Sequence, residues 1–123
     1  IVILGILFFA GCATSKKITH TEQNVPQTKI TKPSNGIYEP DSLELKAIQP
    51  KFPTLSLSVL KEGYIIYTYG PCINCHGAKN IYHYGEQQWK SILDEMAVSA
   101  KISDAQKDAV YKFILSIKLT QAK

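Results

Sequence analysis

Arginine is missing altogether: the fourteen basic side chains in the 123 residues are all lysines, set against ten acids for a formal charge of +4. Without a guanidinium fork, bidentate readout of guanine is excluded, and the lysines are scattered rather than grouped in a stripe, which argues against a nucleic-acid protein. Cysteine is scarce. Three residues, Cys12, Cys72 and Cys75, cannot build the dense disulfide framework of a small secreted scaffold. Methionine and tryptophan occur once each, as Met96 and Trp89. No apolar run reaches the roughly 20 residues that a helical membrane span needs. What remains is 45% apolar and 20% charged, a globular average over three unlike segments.

The first segment, Ile1 to Ser15, carries no charge, and Ile1 to Ala10 is almost wholly apolar. Its length fits the h-region of a secretory signal peptide, about 7–15 residues. No initiator methionine or basic n-region precedes it, so the chain is read as starting partway into a gene product. The stretch ends Phe9-Ala10-Gly11-Cys12, which resembles the lipobox of bacterial lipoproteins, with Phe9 where leucine is usual. The resemblance implies a signal peptide over 1–11 and acylation of the Cys12 sulfur, giving an anchor of two or three chains that holds stably where one chain would not. The alternative is an uncleaved signal anchor with Cys12 a bystander. Either way, the rest of the chain is expected outside the cytoplasm, on the periplasmic side of a bacterial membrane.

Residues 12–53 are expected to be an irregular, lipid-anchored linker. Prolines at 26, 33, 40, 50 and 53 break any element that starts, and no period persists. As a flexible coil it would reach about 35 Å root-mean-square. The linker is expected to include a short helical turn near Ser42 to Ile48; packing of Ile37, Tyr38, Leu43 and Leu45 on the following domain is the competing expectation. From Thr54 to Lys123 the pattern is helical. Leu57, Leu60, Tyr64 and Tyr67 recur at helical spacing until Gly70-Pro71. Gly63 lies inside that helix, where glycine costs about 1 kcal/mol, and points to a close helix crossing. Trp89, Ile92, Leu93, Met96 and Ala100 form a second stripe over Glu86 to Ala100. Ser103-Asp104-Ala105-Gln106 opens a third helix with a capping box, burying Val110, Phe113, Ile114 and Ile117. Nothing here reads as a strand, so the fold class is all-α.

Cys72-Ile-Asn-Cys75-His76 is the pattern of covalent c-type haem attachment. Two thiols separated by two residues reach the two vinyl groups of one haem, and the histidine directly after the second thiol becomes the proximal iron ligand. The rivals fit less well. A thioredoxin-type C-x-x-C belongs beside a βαβ pattern, a zinc site wants four ligands with only His83 nearby, and a simple disulfide is the remaining option. A 70-residue domain is also short for a single hydrophobic core, and a covalent apolar macrocycle would staple it.

On these residues the segment Leu60 to Leu115 resembles class I cytochromes c, with Gly63 and Tyr67 before the motif and Val110, Phe113 and Ile114 in the last helix. It is more closely similar to a subgroup of small bacterial cytochrome c domains, in which a tryptophan stands 13 residues after the haem histidine and a methionine seven beyond it, as Trp89 and Met96 do. The resemblance implies a small three-to-four-helix cytochrome c fold around one haem c, over residues 54–123. It implies Cys72 and Cys75 as the covalent attachment, His76 as proximal ligand and Met96 as distal ligand, with core filling as the alternative for Met96. Tyr67 is expected in the haem pocket. Trp89 is expected there either as a core anchor or as an indole donor to a propionate. Lys79, Tyr82 and Tyr84 are further propionate candidates, and His83 is expected near the haem edge. The family's usual proline after the motif, whose carbonyl orients the proximal histidine, is absent, and the substitute acceptor for His76 is expected between Lys79 and Tyr84.

The functional expectation is an electron carrier, not an enzyme: a membrane-tethered monohaem cytochrome passing single electrons between membrane-bound or periplasmic redox partners. Lysines such as Lys61, Lys79, Lys90 and Lys101 would supply a docking face, though eight lysines against six acids from Thr54 onward keep the domain charge small. If Met96 leaves the iron open, the alternative is a gas sensor or peroxidase-like protein. A fixed haem subunit of a larger respiratory complex is the other.

Overall fold

The structure, a computed structural model, describes residues 31–121; the apolar N-terminal run and Cys12 lie outside the described residues. Among the described residues there are four α-helices: α1 (Ser42–Ile48), α2 (Leu57–Tyr69), α3 (Glu86–Ala100) and α4 (Asp104–Leu119). Two short 3₁₀ turns, Pro71–Ile73 and Ile81–His83, lie between α2 and α3. Among the described residues there is no strand, and no helix is long and apolar enough to cross a membrane. The all-α expectation holds.

Local chemistry sets the helix starts. Ser103 Oγ accepts from the Gln106 N–H at 3.2 Å while Gln106 Oε1 accepts from the Ser103 N–H at 2.9 Å, the reciprocal pairing that satisfies two orphan donors. Asp41 caps α1, accepting from the Leu43 N–H at 2.6 Å, and Glu44 Oε2 accepts from the Asp41 N–H at 3.0 Å. Gln88 Oε1 accepts from the Gly85 N–H at 2.8 Å at the head of α3. The corner between α3 and α4 turns on Lys101, at φ 53° and ψ 38°, whose N–H returns to the Ala97 and Val98 carbonyls.

The frame is the crossing of α2 and α4. A Cβ on Gly63 would overlap the Ala109 carbonyl oxygen and lie 2.9 Å from Phe113 Cβ, so only glycine lets the two backbones approach this closely. The main core gathers around that crossing: Ile66, Tyr67, Cys72, Ile81, Trp89, Leu93, Val110, Phe113, Ile114 and Ile117. Aromatic rings run through it in edge contact, with Tyr64–Phe113 at 5.6 Å, Tyr67–Trp89 at 6.1 Å and Trp89–Tyr84 at 5.3 Å between centroids.

The linker expectation is corrected from residue 32 onward. Ile48, fully buried, packs with Leu55, Leu60 and Leu115 in a second cluster, joined by Leu45. Ile37 and Tyr38 lie against the main core, whereas Leu43 stays 54% exposed. Gly36, at φ 73°, lies in the left-handed region and fits its backbone closely against Ile117, Ile81 and Tyr82, whose side chains would have to give a little to admit a Cβ. Glu44, 0% exposed, fastens this strap. Its carboxylate accepts from Lys32 Nζ, from Tyr38 OH at 3.1 Å and from Thr120 Oγ1 at 3.0 Å at the end of α4. Proline breaks long helices but does not stop a chain from packing, and here one buried carboxylate and one isoleucine hold the proline-rich segment down. The folded unit therefore begins well before Thr54.

Candidate functional site

Helix α2 stops at Gly70, which leaves the helical region (φ −90°, ψ −163°), and Pro71 opens a 3₁₀ turn. Proline suits this position because its fixed φ is pre-organised and its missing N–H costs nothing there. The tight turn faces the two cysteines differently. Cys72 is buried in the main core at 6% exposure, whereas Cys75 is exposed; both are free thiols. Burial pushes the Cys72 thiol above its ordinary pKa.

His76 follows, its Nδ1 bonded to the carbonyl oxygen of Gly77 at 2.9 Å. Since a carbonyl only accepts, Nδ1 carries the proton and Nε2 is the ring nitrogen left for a ligand. The expected acceptor between Lys79 and Tyr84 is thus replaced by the neighbouring Gly77, reached locally because no proline carbonyl is in place.

Across from the turn, the last two turns of α3 present Met96, Ser99 and Ala100. Together with Pro71, Cys72, Cys75 and His76 they line one cavity of about 220 Å³, apolar in most of its surface. Two thiols, an imidazole and a thioether from segments some 20 residues apart in sequence therefore face a common space. Met96 is partly exposed and stands outside both buried clusters, so it does not fill the core. Its position on the cavity follows from the α3 stripe: Trp89 and Leu93 are buried inward, and Met96 lies farther along the same face.

The segment after the motif is held by side chains from α2, α3 and α4 and by the backbone of the strap. Tyr67 OH, on α2, donates to the Lys79 carbonyl at 2.6 Å, and Trp89 Nε1, on α3, donates to the Ile81 carbonyl at 2.9 Å. Lys118 Nζ, on α4, donates to the Tyr84 carbonyl at 2.8 Å, and the Ile81 N–H donates to the Asn35 carbonyl of the strap at 2.9 Å. These bonds bear on two expectations. Trp89 is 1% exposed with its single donor committed to Ile81, which favours the core-anchor alternative over the propionate donor. Tyr67, 4% exposed, lies beside Cys72 in the core but does not line the cavity; burial drives its phenol pKa far up, and its hydroxyl acts as a structural donor.

His83 is exposed on the second 3₁₀ turn, and neither it nor Lys79, Tyr82 or Tyr84 lines the cavity. Among the described residues no three His, Cys, Asp or Glu side chains converge as a metal site, which leaves the zinc alternative without a ligand cluster. A larger groove of about 460 Å³, between the α1–α2 connection and the start of α4, is lined by Phe52, Leu55, Val59 and the Lys112–Asp108 pair among others and holds no soft donor. Sequence reasoning missed Glu44 and Ser99. The Asp41-x-x-Glu44 spacing was a capping signal that could have exposed the first; an exposed serine on a helix gives no signal until its neighbours are placed. Comparison with protein families, curated proteins and solved structures found no match.

Proposed function

We propose that the chain is a monohaem c-type cytochrome that carries single electrons between protein partners, held to the periplasmic side of a bacterial membrane by lipid on Cys12. One observation carries the reading: Cys72, Cys75, His76 and Met96 line a single, mostly apolar cavity. The set matches what a covalently bound haem requires, namely two thiols at C-x-x-C spacing, a histidine directly after them and a thioether from another element. When bound, a haem supplies a one-electron iron couple whose potential is set by its axial ligands and surroundings.

The chain's own residues do the rest. Cys72 would hold one haem vinyl carbon through a thioether rooted in the buried core, and the exposed Cys75 would hold the other. The Gly77 carbonyl fixes the His76 tautomer and ring direction. Met96, carried on a helix anchored by Trp89 and Leu93, would supply a thioether ligand to a bound haem and leave it closed to small molecules, in keeping with an electron carrier rather than an enzyme. That Met96 stands outside the buried clusters favours ligation over core filling. The clamped segment from Lys79 to Tyr84 keeps the pocket fixed between redox states, which lowers the reorganisation that electron transfer demands. Tyr69, two residues before the lining Pro71, and Val98, between the lining Met96 and Ser99, are 73% and 80% exposed and offer apolar surface to a partner in a small, short-lived interface.

Absorption spectra of the purified protein in both redox states test this. The expected result is a c-type ferrous spectrum together with a far-red sulfur-to-iron band in the ferric form. A protein without visible absorption would overturn the reading, and a haem spectrum without the far-red band would replace it with the open-site alternative.

A further inference from the structure

The Gly77 carbonyl that accepts from His76 Nδ1–H at 2.9 Å belongs to a stretch with little hold of its own. Among the described residues, no backbone–backbone hydrogen bond begins or ends on residues 77–79, and a Cβ on Gly77 would meet nothing within 4 Å. Two contacts tie the stretch down. Ala78 packs against the main core, and the Lys79 carbonyl accepts from Tyr67 OH at 2.6 Å. Tyr67 is a rigid post for that bond, because its ring is buried against Trp89 and Phe113, at 6.1 Å and 6.0 Å between centroids. Its place in the chain matters too. Tyr67 stands on α2 before Cys72, and Lys79 stands after His76, so the bond closes the chain around the whole Cys72–His76 motif.

We propose that Tyr67 is a positioning residue for His76: its hydroxyl, by holding the Lys79 carbonyl, keeps the Gly77 carbonyl two residues earlier in place to accept from His76 Nδ1–H. The inference rests on the haem reading above, in which Nε2 of the same ring is the iron ligand. A ring whose N–H is held by a carbonyl is the more basic ligand and favours ferric iron, so loosening the hold moves the couple toward the ferrous form. The net worth of one such hydrogen bond corresponds to about two- to tenfold in a local opening equilibrium.

The test is hydrogen exchange of His76 Nδ1–H, read by NMR in the ferrous form of the full-length holoprotein, together with redox titration. Tyr67→Phe keeps the packed ring and removes the hydroxyl; Ile48→Val thins the second cluster, away from the motif, and serves as the control for a general loss of stability. Tyr67→Phe is expected to speed the exchange about two- to tenfold and shift the couple toward the ferrous form, while Ile48→Val leaves both unchanged. Without any variant, the Tyr67 hydroxyl proton and His76 Nδ1–H of the unsubstituted protein are expected to show equal protection. If the unsubstituted protein contains haem but Tyr67→Phe moves neither exchange nor potential, the Tyr67 assignment is overturned and the haem reading stands. An equal effect of Ile48→Val, or a His76 proton protected at least tenfold less than the Tyr67 hydroxyl, overturns it likewise. An unsubstituted protein lacking haem overturns both, a result read before any variant is made.

Discussion

Single residues decide the chemistry and part of the stability. Met96→Ala removes a side chain that lines the cavity without emptying either buried cluster. The fold is therefore expected to survive with less than about 1 kcal/mol lost, since substitutions outside the core cost little, while the far-red band disappears and carbon monoxide binds the ferrous form rapidly. Retention of the ferric spectrum and potential would contradict the ligand assignment. Glu44 makes a separate prediction. Burial alone would push its carboxyl up, but hydrogen bonds from Lys32, the Asp41 N–H and Thr120 outweigh that and hold it below the ordinary value of 4.5. A carboxylate depressed in the folded state gives stability that is present above its unfolded pKa and is lost as pH falls through the folded one. Acid titration should thus weaken the protein from about pH 4.5 downward, and Glu44→Gln should flatten that dependence while costing roughly 1.5–3 kcal/mol at neutral pH, the worth of a hydrogen bond to a charged group. Urea melts at pH 3.5, 4.5 and 7 would show it; equal slopes for both proteins would contradict it. At this scale the sequence singled out Cys72, Cys75, His76 and Met96, which the structure brings to one cavity, because the motif and its spacing are written in residue type. It could not find the Gly77 carbonyl, since any backbone oxygen is an acceptor and only the path of the chain selects one.

Elements were readable where a period and a cap agreed. Helix α3 matches its expected span from Glu86 to Ala100, and α4 opens on the expected Ser103 capping box. The crossing at Gly63 was also foreseen from the cost of a glycine in a helix. Gly63→Ala should be worth about 1 kcal/mol in favour of α2 on propensity alone. The clash with the Ala109 carbonyl and Phe113 Cβ reverses the sign, because overpacking a tight contact costs about 1–3 kcal/mol and backbone cannot rotate away as a side chain can. A lower urea midpoint for the variant supports the crossing; a higher one would contradict it. The strap was legible only as a competing expectation, for the opposite reason. Residues 32–41 carry no period, and their attachment depends on Glu44 and Thr120, which are 76 residues apart and paired only in three dimensions.

For the whole molecule, the extent of the folded unit matters most. A fragment beginning at Thr54 lacks α1 and the strap, leaving Leu60 and Leu115 without Ile48 and the Ile81 N–H without the Asn35 carbonyl. Full burial of one isoleucine is worth about 1.5–3 kcal/mol, a large share of the stability of a domain this small. The fragment should therefore unfold at lower urea concentration than a chain beginning at Thr31, or fail to fold cooperatively; equal midpoints would restore the linker boundary at 53. Haem attachment is the claim on which the electron-carrier account rests, and the most direct measurement is intact mass of the exported full-length protein before and after acid–acetone extraction. The account predicts one haem in the mass, retained with its colour through extraction because two thioether bonds hold it. A polypeptide mass with no added macrocycle, or colour that leaves with the solvent, would contradict it.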